Sequence, residues 1–257
     1  MQLTATLTRP DDRGQCWQWE VPRSSDRLLV DVDQAPQRCL ERLQSVDRFT
    51  ESSVTRFTVQ GRYRAAEELL DILWQSVILP LLGQLEGASA VRFRLPGAYV
   101  RLPLATARSS ATGEAVIHCV EPIVEWTATP LPGGTASTDQ GHVLRLDGHF
   151  REIAETLSTL RVEPGTTLLL LGCRTAELLP LIARTGTDTA VVTSWDVEDR
   201  HCGPFGDEVE ALLQLGLSPA AALRSVQARW SSRHPYEWAG YGIVHLTGVE
   251  TPEKHNG

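Results

Sequence analysis

No Cys-x-x-Cys pair occurs in this chain, and its five cysteines, Cys16, Cys39, Cys119, Cys173 and Cys202, are scattered. That spacing offers neither a zinc knuckle nor a disulfide framework, so reduced thiols are expected. His201, Cys202 and Cys119 show no ligand spacing either; no metal and no cofactor are expected. Positive charge is also short. Against 32 Asp and Glu stand 24 Lys and Arg, a net charge of −8. A nucleic-acid surface needs a basic footprint, so that class of partner is excluded. No apolar run reaches the roughly 20 residues of a membrane helix. The opening "MQLTATLTRPDDRG" has neither a basic nor a hydrophobic signal region, which makes the cytoplasm the expected location.

What is present is ordinary globular material, 42% hydrophobic and 22% charged in 257 residues. That length suits one large domain, or a main domain with an appendage. Residues 1–58 read as a β-rich segment, from the alternation in "QLTATLT" and "CWQWEV" and the run "RLLVDVD". A short helix is a candidate in "PQRCLERLQSV". An amphipathic helix follows, with Ala66, Leu69, Leu70, Leu73, Trp74 and Val77 on one face and Pro80 where it must end or bend.

Strands and helices then alternate through residues 59–248. "AVRFRL", "EAVIHCVEPIVEW", "HVLRLDG", "TTLLLLG", "TAVVTSW" and "YGIVHL" read as strands. "HFREIAETLSTL", "LPLIART" and a long stretch from Asp207 to Trp230 read as helices, the last broken at "GLSP". Residues 249–257 form a frayed tail. Short apolar strands separated by helices predict an α/β fold, a mainly parallel central sheet with helices on both faces.

In such sheets, working groups gather at the carboxyl ends of neighbouring strands. "VLRLDGH" ends in His149 and "TLLLLGC" ends in Cys173, each just after a glycine. One helix separates them, as in a crossover between parallel neighbours. Imidazole and thiol are the minimum for thiolate catalysis, the one taking a proton and the other attacking a carbonyl. Two plainer readings stand beside this one. Cys173 suits core filling, and His149 suits capping the helix that opens at Phe150.

The order of pieces resembles the CHAT family of caspase-like cysteine peptidases, and more distantly separase. The pieces are "LDGH", "LLLGCRT", "TSWDVEDR", "LQLGLSPAAALRSVQARW" and "HPYEWAGYGIVHL", preceded by "LDILWQSVILPLLGQL" and "RLPGAYVRLPL". Together they span roughly residues 60 to 248. The resemblance implies a caspase-like fold with His149 and Cys173 as catalytic dyad. It also implies the backbone N–H groups of Phe150 and Cys173 as the oxyanion site. The chain departs from the family pattern at three points. Phe150 replaces a glycine after the histidine, 24 positions separate His149 from Cys173 because an insertion is missing, and Ala176 stands for the glycine after Cys-x-Thr.

The implied function is a cysteine endopeptidase acting on a protein or peptide partner. The alternative is a non-proteolytic relative, a regulatory or accessory binding protein. In either, residues 1–58 would serve as a docking module for a regulatory partner. Asp196 or Asp199 in the acidic "SWDVEDR" loop would select a basic side chain at the cleft, although both aspartates equally suit turn and capping roles. Arg174 beside the thiol would select an acidic one.

Overall fold

The computed structural model describes residues 4–10, 16–20, 39, 41–44, 46, 56–85, 90–94, 101–119, 121–128 and 142–248. The strand expected at 27–33 and the tail at 249–257 lie outside these. Among the described residues the strands are β1 (Thr4–Pro10), β2 (Cys16–Glu20), β3 (Ala90–Arg94), β4 (Glu121–Ala128), β5 (Val143–Asp147), β6 (Thr167–Leu171), β7 (Thr189–Thr193) and β8 (Tyr241–Gly248). The principal helices are α1 (Arg56–Leu73), α2 (Phe150–Thr159), α3 (Leu179–Thr185), α4 (Asp199–Gln214) and α5 (Pro219–Trp230). No helix among the described residues is long and apolar enough to cross a membrane.

The fold is α/β around one open sheet in the order β2-β1-β3-β4-β8-β7-β6-β5. Four pairings are parallel, β3–β4, β4–β8, β5–β6 and β6–β7. Three are antiparallel, β1–β2, β1–β3 and β7–β8. The sheet is therefore two parallel blocks of opposite direction joined at β7–β8. The β1–β2 hairpin falls inside the segment set apart at 1–58, yet it is hydrogen-bonded into the common sheet through β3.

Both faces are covered where β6 runs, since all five of its residues are buried. A side chain placed on Gly172 would strike Ile153 of α2, whereas Gly206 of α4 sits directly against the side chain of Leu171. Successive residues of an extended chain point to opposite faces, so α2 and α4 cover opposite sides of the sheet. The expected apolar face of α1 is buried at all six positions named from its periodicity. Ahead of Pro80 that helix widens into a π turn at Trp74–Ile78 and then tightens into a 3₁₀ turn, because proline supplies no N–H for the α ladder.

Two local expectations are corrected. The β-branched start of "EAVIHCVEPIVEW" is a helical turn at Val116–Cys119, with the strand confined to Glu121–Ala128. The long helix begins at Asp199, not Asp207, running through Gly203, Pro204 and Gly206.

Candidate functional site

Strands β5 and β6 are parallel neighbours with Asp147 opposite Leu171. His149 and Cys173 each follow that pair by two residues, so they leave the sheet at the same level. Both line one cavity of about 430 Å³, together with Gly148, Gly172, Val197, Asp199, Cys202 and others. A cavity of about 780 Å³ beside the α4–α5 turn and one of about 440 Å³ beside α1 have no cysteine in their walls. Size favours the first of these, but chemistry favours the wall that joins thiol and imidazole.

The two strand ends are built differently. Gly148, with φ +139°, makes the turn that a side chain would resist. His149 then takes the N-cap position of α2 in a capping box, with a carboxylate oxygen of Glu152 accepting from the His149 N–H at 3.0 Å. The histidine is exposed, and capping the helix is thus one thing it does. Phe150 opens the helix, so its N–H has no acceptor within the helix.

Cys173 is half-buried, with Sγ 3.8 Å from the carbonyl oxygen of Val197. Gly172 leaves no room for a side chain. A Cβ there would stand 2.5 Å from Ile153 Cδ1 and 2.6 Å from the carbonyl oxygen of Gly148. Arg174 turns left-handed at φ +52°, and its N–H donates to the carbonyl of Trp195 at 3.2 Å. Beneath the turn, Thr175 and Thr193 bond each other reciprocally: Thr175 N–H donates to Thr193 Oγ1 at 3.0 Å and Thr193 N–H to Thr175 Oγ1 at 2.8 Å.

Electrostatics do not favour a resting thiolate. The Cys173 thiol is pushed up to about 11, first by burial and then by the Asp196 carboxylate. Cys202, buried on the same wall, is also raised, chiefly by burial. The remainder of the wall is acidic. Asp147, Glu152 and Asp199 contribute carboxylates, and the guanidinium of Arg145 is already held by Asp147 at 2.8 Å, Asp207 at 2.5 Å and Glu210 at 3.2 Å.

Of the residues named from the sequence, His149, Cys173 and Asp199 share the cavity. Asp196 and Arg174 form an ion pair with each other at 3.2 Å, away from its lining. Phe150 also lies off the lining, with its ring 5.9 Å from the Arg174 guanidinium carbon. Cys202 and the threonine pair carry no motif signal. Placing the start of α4 at Asp199 would have revealed Cys202, since residues three apart share a helix face. Among the described residues no cluster of His, Cys, Asp and Glu could hold a metal ion. No family model matches this sequence, and no curated protein is significantly similar to it.

Proposed function

We propose that this protein is a caspase-like cysteine endopeptidase whose dyad is His149 and Cys173. The observation that carries the reading is their placement: two parallel neighbours end in Gly-His and Gly-Cys at one level and face one cavity. Because the thiol rests protonated, the imidazole must take its proton as sulfur attacks the substrate carbonyl. The new S–C bond pushes the carbonyl electron pair onto oxygen, where the Cys173 N–H is the donor on the cavity wall and the Phe150 N–H, off that lining, is the second donor the resemblance implies. Collapse of that intermediate expels the amine, which takes the proton from His149, and water then hydrolyses the thioester.

The acidic wall supports a basic side chain before the scissile bond, with Asp199 as its partner. Asp196 is engaged by Arg174, and that pairing weakens the claim of either residue to select substrates. Screening a peptide library is the test. Cleavage after Lys or Arg, abolished in Cys173→Ala and shifted in Asp199→Asn, is expected. Cleavage that survives Cys173→Ala would end the proposal.

A second reading has an observation of its own. The raised thiol and the capping role of His149 both suit a relative that keeps the fold and binds a regulatory or substrate protein without cutting it. Peptide binding without cleavage, unchanged by Cys173→Ala, would select this reading.

A further inference from the structure

We propose that Thr193 is a positioning residue for Cys173. By holding the Gly172 carbonyl inward, it presents the Cys173 N–H to a developing oxyanion. The proposal rests on the peptidase reading, but its observations are separate from the dyad.

Thr193 and Thr175 are both fully buried, at 0% exposure. A hydroxyl has one proton to give. Thr193 gives its proton to the carbonyl oxygen of Gly172 and accepts from the Thr175 N–H. The Thr175 hydroxyl accepts from the Thr193 N–H, and its own proton faces Thr193 Oγ1 at 3.2 Å or Leu170 O at 3.5 Å. Both hydroxyls and both backbone N–H groups of this pair are thereby accounted for, and the Gly172 carbonyl is fixed in direction.

That direction has a geometric consequence. In a trans peptide the C=O and the following N–H point to opposite sides of the chain. With the Gly172 carbonyl tied to Thr193, the Cys173 N–H of the same plane faces away from Thr193. None of the hydrogen bonds found among the described residues uses the Cys173 N–H as donor. Gly172 is itself closely surrounded, since Ile153 and the Gly148 carbonyl leave no room for a Cβ there. Thr193 lies off the cavity lining, so it acts only through this peptide.

The test compares two electrophiles. A peptide aldehyde adds to the thiol: the S–C bond forms, the carbonyl π pair moves to oxygen, and that oxygen takes the proton the sulfur gives up. Iodoacetamide alkylates the thiol by displacement: the S–C bond forms, iodide leaves, the thiol proton goes to the imidazole or to solvent, and no oxyanion is made. Thr193→Val is expected to weaken hemithioacetal formation by about tenfold or more, as for a mis-set oxyanion donor, and to leave the iodoacetamide rate nearly unchanged. Thr193→Ser should restore aldehyde binding. Equal loss with both reagents, or no rescue by serine, would reduce Thr193 to a purely structural role and overturn the proposal.

Amide exchange of wild-type Cys173 provides a measurement that no folding defect can obscure. Exchange without protection is expected; strong protection would mean an internal acceptor and would overturn the proposal by itself. A wild type that reacts with iodoacetamide but forms no aldehyde adduct would instead overturn the peptidase reading, and this inference with it.

Discussion

The ends of β5 and β6 are alike in sequence and unlike in construction. Each finishes in a glycine followed by a reactive residue, and the two leave the sheet at the same level. At the β5 end, His149 is exposed and held by a helix cap. At the β6 end, Cys173 is half-buried above a sealed pair of threonines and below a glycine with no spare room. The contrast suggests a division of labour. The sulfur end is set by close packing, whereas the imidazole end is set by a helix cap at the surface.

Gly172→Ala tests that contrast most strongly. The added methyl meets both a side chain and a backbone carbonyl, so a loss of about 1–3 kcal/mol is expected from overpacking. Glu152→Ala, which removes the cap at the other end, should cost about 1 kcal/mol or less. Denaturant melts of the two variants give the comparison. A larger loss for Glu152→Ala would reverse that ranking of the two ends.

Alkaline stability sharpens it next. Burial raises Cys173 to about 11 and Cys39 to about 12, both from 9.0. A raised folded value means the folded state holds its proton longer than the unfolded chain. The resulting stability is complete below about pH 9 and is lost as pH rises through 11 and 12. Buried Tyr236 and Tyr241, also raised chiefly by burial, extend the loss from about pH 10 upward. Midpoints measured in reducing buffer should fall between pH 8 and 10.5, with a shallower fall in Cys173→Ala.

A milder change addresses the charge beside the thiol. Asp196→Asn removes the second cause of the raised Cys173 value, so alkylation of Cys173 at pH 8 should speed up. The exposed Cys119 serves as internal reference and should keep its rate. An unchanged Cys173 rate would mean that burial outweighs the Asp196 charge in setting the thiol's reactivity.

The smallest effect is expected at Gly203, on the cavity wall contributed by α4. A Cβ there meets nothing within 4 Å, so Gly203→Ala should stabilise by about 0.5–1 kcal/mol, through helix propensity. Destabilisation would mean the first turns of α4 need that glycine's freedom.

Much of this arrangement was legible in residue patterns. The apolar runs of β5 and β6, the single intervening helix and the terminal glycines led directly to the His149–Cys173 pairing. Breaker residues misled at α4. Gly203, Pro204 and Gly206 look like loop, yet Gly206 is there because the helix lies directly on Leu171, an approach set by tertiary packing. The reversal of direction at β7–β8 and the docking of β1 on β3 also escaped, because pairing between distant segments leaves no local periodicity. The threonine pair was equally silent. Thr193 is an ordinary strand-end residue and Thr175 an ordinary turn residue until their mutual hydrogen bonds are seen.

Arg174 has a further consequence. Its backbone adopts a conformation that costs a non-glycine residue about 1–2 kcal/mol, and its side chain reaches outward in two directions. One is the Asp196 carboxylate after β7, and the other is the Phe150 ring after β5. A single guanidinium therefore cross-ties the tips of three consecutive strands of the sheet. Breaking the Arg174–Asp196 pair would therefore be felt at the β5 tip as well as at its own, although neither residue lines the cavity.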